Sequence, residues 1–496
     1  MASPAGPVLL RRGRLGPRGP VADVVLAGGV VAEIACGASD SGAAEVVDLD
    51  GRVILPGLWD AHVHAVQWAL AQQRIDVSGA GSAAEAVTLA AASAPVGTGM
   101  ITAYGFRDAL WVDRPHKDLL QAAFPGRAVL MQSNDLHTAW FSPAALAAVG
   151  LDHPTGVLCD GQSYAAVAAM PAPDRAEVDR AVLGAMRAAA ARGVVGIIDF
   201  EYADNCTDWA RRAAAGTLPV RVECSVPADR LGEAIGRGLR TGEALAATGG
   251  LAAPGPVKAF GDGSLNTRTA WCHQSYGRPG QSTVGHAEMP ADLLAGLVRR
   301  AESAGLRCAI HAIGDRAVSA ALDALEVAPA GRIEHAQLVA TADLARLGRA
   351  GLVLGVQPAH QPDDRDVADR VWPRCTDRAY AYAAMLAAGG RLEFGSDAPV
   401  APLDPWDAIA SAVCRTDDGR PPWHPEQAVS LDAALVASSR GRAGIELGDP
   451  ADVVVLDSEL DPAELRADPV RRAGRLRGMP IWATYLAGRR TYRRAA

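Results

Sequence analysis

Two histidines one residue apart, His62 and His64, close an apolar run that starts at Val53-Ile54-Leu55 and passes through Pro56-Gly57. Residues two apart in an extended segment share a face. Both imidazoles therefore project to one side, with Val63 pointing the other way. Paired neutral imidazoles suit a divalent metal, although two surface or core histidines would leave the same trace. Further polar residues stand at comparable positions. Lys258 falls within Val257-Phe260, His311 ends Leu306-His311, His335 follows Arg332-Ile333-Glu334, and Asp397 follows Arg391-Phe394 through Gly395-Ser396. Each has a plain structural alternative: Asp397 as a helix cap, His335 as a core histidine bonded to a carbonyl, Lys258 as a snorkelling cation. Their recurrence at the ends of different apolar segments favours a metal site.

The residue types explain themselves chemically. Imidazole and carboxylate suit zinc or a similar first-row ion. An ammonium group is a poor ligand because it has no lone pair. A neutral lysine can instead take up carbon dioxide as a carbamate, a carboxylate on a long arm able to bridge two cations. The chain has two lysines, Lys117 and Lys258, against 46 arginines, so a lysine ending an apolar segment is not there merely for charge. A bound metal lowers the pKa of its water from 15.7 to about 7 and makes hydroxide at neutral pH. Asp397 would accept the proton from that nucleophile and pass it to the leaving group.

The elements that must position these groups form a repeating pattern. Strands are predicted at Val53-Leu55, Val194-Asp199, Val220-Val226, Val257-Phe260, Leu306-His311, Arg332-Glu334, Leu352-Gln357 and Arg391-Phe394. Helices are predicted between them over 174–192, 228–247, 290–305, 315–327, 341–350 and 376–389. Eight strand–helix units imply a parallel sheet closed into a (β/α)8 TIM-type barrel, an α/β fold whose site lies at the C-terminal strand ends. Residues 68–175 interrupt the rhythm after the first strand and form an inserted subdomain. Short strands within 1–55, punctuated by Gly28-Gly29 and Asp50-Gly51, match strands at Val453-Leu456 and Ile481-Leu486. Residues 1–55 and 440–496 are therefore expected to build one composite β-sandwich beside a barrel domain over 56–439.

Bulk composition narrows the function classes. At 496 residues the chain exceeds one simple core. A net charge of −8 argues against a nucleic-acid partner, and the basic end (Arg489, Arg490, Arg493, Arg494) reads as a solvated terminus. The eight cysteines include no Cys-x-x-Cys pair, which disfavours a thiolate knuckle or disulfide framework and suits a reducing, cytoplasmic setting. Met1 to Arg14 holds no signal-peptide core, and no stretch reaches the roughly 18–20 apolar residues of a membrane span. The expected partner is a small-molecule substrate, without membrane or nucleic acid and with homodimerisation open.

Taken together, these segments resemble the amidohydrolase superfamily, in the amidohydrolase-3 branch that includes N-substituted formamide deformylases. The resemblance rests on Leu55-Pro56-Gly57-Leu58-Trp59-Asp60-Ala61-His62-Val63-His64, Lys258-Ala259-Phe260-Gly261-Asp262-Gly263-Ser264-Leu265 and His311-Ala312-Ile313-Gly314-Asp315. It continues through Glu334-His335-Ala336-Gln337, Gly395-Ser396-Asp397-Ala398-Pro399-Val400 and Gly448-Asp449-Pro450-Ala451-Asp452 with its following strand. It implies one or two divalent ions, usually zinc. His62 and His64 would bind the more buried ion with Asp397, His311 and His335 would hold the second, and a carboxylated Lys258 would bridge. Hydrolysis of an amide-type C–N bond is the implied reaction. Deamination or lactone hydrolysis on the same site, or a non-catalytic scaffold of this fold, are the alternatives.

Asn134-Asp135-Leu136-His137-Thr138-Ala139-Trp140 matches a segment that approaches the site in the family, which makes His137 a candidate substrate contact or oxyanion donor. Arg268, in Thr267-Arg268-Thr269-Ala270, is a candidate for binding a substrate carboxylate or for a structural ion pair. His360, just past the seventh strand, is a second substrate-side candidate. Two stretches depart from the family pattern: Ser264-Leu265-Asn266-Thr267 replaces the usual Ser-Leu-Gly-Ser, and Ser438–Gly444 shortens the approach to the closing strand.

Overall fold

Pro56 and Gly57 mark a change of sheet. The computed structural model describes residues 6–40, 42–171, 173–276, 283–458, 460 and 468–495, so the first five residues of the N-terminal stretch lie outside it. In it one strand ends at Val53–Pro56 and another begins at Leu58–Val63. Val53–Pro56 pairs antiparallel with Val453–Leu456 and parallel with Val8–Leu15. Leu58–Val63 belongs to the barrel, beside Val194–Asp199. Between them the Gly57 N–H donates to Asp452 O at 2.9 Å and the Leu58 N–H to Gly193 O at 3.1 Å. A Cβ on Gly57 would lie 2.5 Å from both methyls of Val195, so a glycine is needed where the chain passes from one sheet to the other. This corrects the expectation that Val53-Leu55 is the first barrel strand. Both pieces are buried, and an unbroken apolar run does not reveal that two sheets share it.

The barrel strands are Leu58–Val63 (β1), Val194–Asp199 (β2), Arg221–Pro227 (β3), Ala252–Phe260 (β4), Cys308–Ala312 (β5), Gly331–His335 (β6), Leu352–Val356 (β7) and Arg391–Phe394 (β8). They lie in sequence order, each parallel to the next. The remaining gap, between β8 and β1, is bridged by Val63 and Ala398. The Asp397 N–H donates to His62 O at 2.7 Å and the His64 N–H to Ala398 O at 2.9 Å. The sheet is thus a nearly closed eight-strand parallel barrel, and β2, β5 and β6 are buried along their whole length, as strands covered on both faces must be.

The helices between the strands follow the apolar stripes only where those stripes are regular. Arg175–Ala190 begins where predicted, with Asp174 accepting the Glu177 N–H at 3.1 Å as its cap. Ala291–Ser303 and Asp315–Leu325 also fall close to prediction. The helix expected over 228–247 stops at Gly236, since Gly238, Gly242, Gly249 and Gly250 all take left-handed backbone angles. Over 376–389 only Tyr382–Ala387 is α-helical, after a short 3-10 turn. His360–Val371 is a helix that the apolar pattern does not announce, because Asp363, Asp364, Arg365 and Asp366 break the stripe.

Strands from both ends of the chain share an eight-stranded sheet ordered Arg489–Arg493, Ile481–Leu486, Val453–Leu456, Val53–Pro56, Val8–Leu15, Val21–Ala27 and Val30–Ala35, with Glu45–Asp48 also on Val8–Leu15. The arginine-rich end is a paired strand along which Arg490 and Arg493, with Arg494 beyond it, are exposed. Arg493 covers the Trp482 ring at 4.7 Å and Arg494 meets Asp457 at 3.0 Å. Between β1 and β2 a separate five-stranded sheet runs from Ile75–Asp76 to Val157–Cys159, packed around Val77, Ile101, Phe106, Leu120 and Trp140. Among the described residues no helix is long and apolar enough to cross a membrane.

A Cβ placed on Gly395, just past β8, would lie 2.6 Å from His62 N and 2.7 Å from His62 Cβ. Gly395→Ala should therefore destabilise the fold by about 1–3 kcal/mol, the usual range for overpacking. Denaturant melts of both proteins measure this, and an unchanged midpoint would contradict such close packing of β8 against His62.

Candidate metal centre

The barrel's C-terminal end gathers the predicted ligands by backbone geometry first. His62 lies in β1 with its side chain 1 % exposed, and His64 stands just beyond the strand end. Asp60 Oδ1 accepts the N–H of His62 at 3.2 Å and of Ser396 at 2.8 Å, which pins the end of β1 to the segment after β8. Burial pushes the Asp60 carboxyl up to about 7. Past His64, Asp199 Oδ1 accepts the Ala65 N–H at 3.1 Å, and Glu201 Oε2 accepts those of Val66 and Gln67 at 3.0 Å each. These two acids, from the end of β2, fix the start of helix Ala65–Ala71. Across the barrel, Asp262 accepts the N–H groups of Ile313 at 3.0 Å, Gly314 at 2.8 Å and Trp271 at 2.8 Å, tying the loop after β4 to the loop after β5. Burial moves its carboxyl to about 7 as well.

The six predicted ligands form one chain of contacts. The His62 ring centroid lies 5.7 Å from that of His64 and 5.0 Å from that of His335, which in turn lies 4.5 Å from His311. Asp397 Oδ1 is 3.5 Å from His62 Nε2 and 3.2 Å from His64 Nε2. Lys258 Nζ is 3.2 Å from His62 Nε2 and 4.5 Å from the centre of the Phe200 ring. Three of the six, His62, His335 and Asp397, each place a ligand atom within 4.8 Å of the other two. His64 reaches only the Asp397 side of this group. His311 Nε2 lies 3.2 Å from Gly263 O.

Charge states follow from burial. Desolvation pushes His62 and His311 well below the ordinary histidine value and His335 down to about 3, so all three rings are neutral and carry a lone pair at neutral pH. Contact with the Asp397 carboxylate outweighs burial at His64 and raises it. Burial works against ionisation of Asp397, but His62, His64 and His335 hold it well below the usual carboxylate range. Burial pulls Lys258 down to about 8. The residues fit a cation. Asp397 Oδ1 is a buried anionic oxygen that faces the neutral His62 ring at 3.5 Å. His335 and Asp397 also hold left-handed backbone angles, φ 73° and 57°, which cost of order 1–3 kcal/mol each in residues with a side chain. Strain of that kind collects where side chains must be aimed.

The insertion supplies the cover. Asn134 Nδ2 donates to Val400 O at 2.9 Å, and the Ser264 hydroxyl donates to Asp135 at 3.2 Å, so the loop 133–137 is tied to the segments after β8 and β4. His137 lies on that loop with its ring 6.1 Å from His311. Its Nδ1 meets Asp160 Oδ1 at 2.7 Å and the Tyr164 hydroxyl at 3.1 Å. Burial lowers His137, but Asp160 and Asp135 raise it overall. His360 is the first residue of its helix, and its Nε2 meets Ser396 O at 3.1 Å. Arg268 sits in the turn after β4 with φ 60° and its N–H donated to Leu265 O at 3.1 Å. Sequence reading gave no role to Glu334, Asp60, Asp262, Asp160 or Tyr164. The first three stand inside the quoted motifs, so their signal was present. Asp160 and Tyr164 meet His137 only because the insertion folds back, and no local pattern marks them.

Residues 45–492 match the sequence model of the Amidohydrolase family. Among curated proteins, the putative amidohydrolase YtcJ of Bacillus subtilis is 28 % identical over 86 % of this chain and 89 % of its own length. The N-substituted formamide deformylase of Arthrobacter pascens is 26 % identical over 95 % of each chain. An uncharacterised metal-dependent hydrolase from Pyrococcus horikoshii has the same fold, with a TM-score of 0.76 and 24 % identity over 94 % of this chain and 99 % of its own.

A ligand that binds only the folded chain stabilises it by mass action. Zn2+ at 100 times its Kd should raise the unfolding free energy by about 2.7 kcal/mol, and His335→Ala should remove most of that increment. Melts with added Zn2+ and with chelator measure both. A wild-type melt indifferent to Zn2+ would contradict a metal centre here.

Proposed function

The chain belongs to the amidohydrolase family, and on that premise we propose that it is a metal-dependent hydrolase of an amide-type C–N bond, with N-substituted formamides as the first substrate class to test. The observation that carries this reading is the ionised Asp397 oxygen grouped with the neutral, buried imidazoles of His62 and His335 at the C-terminal end of a parallel barrel. His62, His335 and Asp397 would hold one divalent ion, most simply zinc, with His64 and His311 beside them. Lys258 would serve as a carbamate that bridges to a second ion. Burial supports this, because a lysine brought to about 8 holds far more of the neutral amine that takes up carbon dioxide than an exposed lysine does. When bound, such an ion supplies Lewis acidity and makes water a stronger acid near neutral pH.

The chain's own residues do the rest. Asp397 takes the proton of the attacking water and delivers it to the leaving nitrogen. His137, oriented by Asp160, faces the site from the insertion and stabilises charge on the carbonyl oxygen. Arg268 and His360 are assigned to the substrate side. We further propose that 1–55 with 440–496 forms one composite β-sandwich domain and 56–439 the barrel with its insertion over 68–175. The substrate is a small molecule, and the eight unpaired cysteines support a cytoplasmic setting.

Zn2+-loaded protein should hydrolyse N-substituted formamides, and chelation should abolish the activity. Asp397→Asn should lower kcat by about 10²–10⁴, the usual worth of a general acid–base group. His137→Ala should lower it by about 10²–10³, as loss of one oxyanion donor does. Formate release under steady-state conditions measures all three. Undiminished turnover in Asp397→Asn would overturn the proton-transfer assignment.

A further inference from the structure

Beneath the candidate centre the barrel holds a group of buried ions. Glu334 is fully buried, and its two carboxylate oxygens do different work. Oε2 lies 2.8 Å from His62 Nδ1, while Oε1 accepts from Arg332 Nε at 2.7 Å. Arg332 also donates from Nη1 to Glu393 Oε2 at 2.5 Å. Glu393 is shared by Arg391 at 2.9 Å and Arg440 at 3.5 Å, and Arg440 in turn pairs with Glu223. One line of alternating charges thus runs from the barrel floor to the back of His62. Gly355 on β7 leaves room for it: a Cβ there would lie 2.1 Å from Glu334 Oε2 and 2.7 Å from Arg332 Nη2.

We infer that Glu334 is a positioning residue that fixes the tautomer and ring plane of His62, with Arg332 holding it from below. Arg332 keeps its proton and its charge, and with Glu334 as the carboxylate that pairs with it through Oε1, Oε2 accepts the proton on His62 Nδ1. Nε2 is then left with its lone pair on the side of Asp397 and Lys258. Carboxylates behind metal-ligating histidines commonly raise metal affinity 10- to 100-fold. This inference rests on the metal-centre reading above and names what prepares its most buried ligand.

The test is Zn2+ affinity, measured by competition with a chromophoric chelator on full-length wild type, Glu334→Gln, Gly355→Ala and Glu223→Gln, with near-ultraviolet circular dichroism as the check on folding. Glu334→Gln should bind Zn2+ about 10–100-fold more weakly. Glu223→Gln, which breaks the far end of the same ionic line, should lose thermal stability but keep its Zn2+ affinity within about twofold. If Glu334→Gln does not fold, Gly355→Ala decides, since it keeps every charge and displaces the oxygen that faces His62. Wild-type affinity in the folded variant, or an equal loss in Glu223→Gln, would overturn the inference while leaving the metal centre standing. No stoichiometric Zn2+ in wild type would overturn both.

Discussion

A carboxylate oxygen of Asp397 lies 3.2 and 3.5 Å from two imidazole nitrogens at the mouth of the barrel, and the surrounding structure is arranged to keep it there. An anion facing the lone pair of a neutral ring is unfavourable in a medium that screens weakly, so the His62 side of Asp397 calls for a positive charge, while contact with the carboxylate raises His64. Burial makes His62, His311 and His335 neutral, which is the form that can donate to a cation. The same burial brings Lys258, 3.2 Å from His62 Nε2, down to about 8. A site that disfavours its own cation and keeps its anion is suited to a cation from solution.

That contact is maintained by rigid parts. The ends of β1 and β8 are joined through the backbone of His62, Asp397, His64 and Ala398, and again through Asp60. Asp262 does the same for the loops after β4 and β5. The left-handed residues His335 and Asp397 are strained but enclosed, so relaxing either would break hydrogen bonds around it. The insertion then lies across this frame, anchored at Val400 and Ser264, and brings His137 to the open side. The candidate ligands thus sit on strands or just past their ends, while the groups that would meet substrate sit on loops, as expected where one scaffold serves many chemistries.

Much of this was legible in the sequence, and the failures have physical causes. The parallel barrel could be read because its strands are buried on both faces and appear as short apolar runs, several of them ending in a polar residue. Lys258 stood out through rarity, as one of two lysines in the chain. The first strand was misplaced because Val53–Pro56 and Leu58–Val63 form one apolar run on either side of Gly57, and hydrophobicity does not say which sheet a strand joins. Helix His360–Val371 was missed because its exposed acids mask the apolar face. The family resemblance was correct, and Glu334 stood within its quoted motif. Its contact with His62 nonetheless joins residues 272 positions apart, and only the closed barrel brings them together. Asp160 was invisible for the same reason on a smaller scale, since a left-handed turn after Cys159 brings it to His137.

The most direct test is anomalous X-ray diffraction at the zinc absorption edge, on crystals grown with Zn2+. A metal centre at this position predicts a peak within bonding distance of His62, His335 and Asp397, about 2.0–2.2 Å from their nitrogen and oxygen atoms. A map with no peak between these three residues, from protein that is folded and Zn2+-saturated in solution, would contradict it.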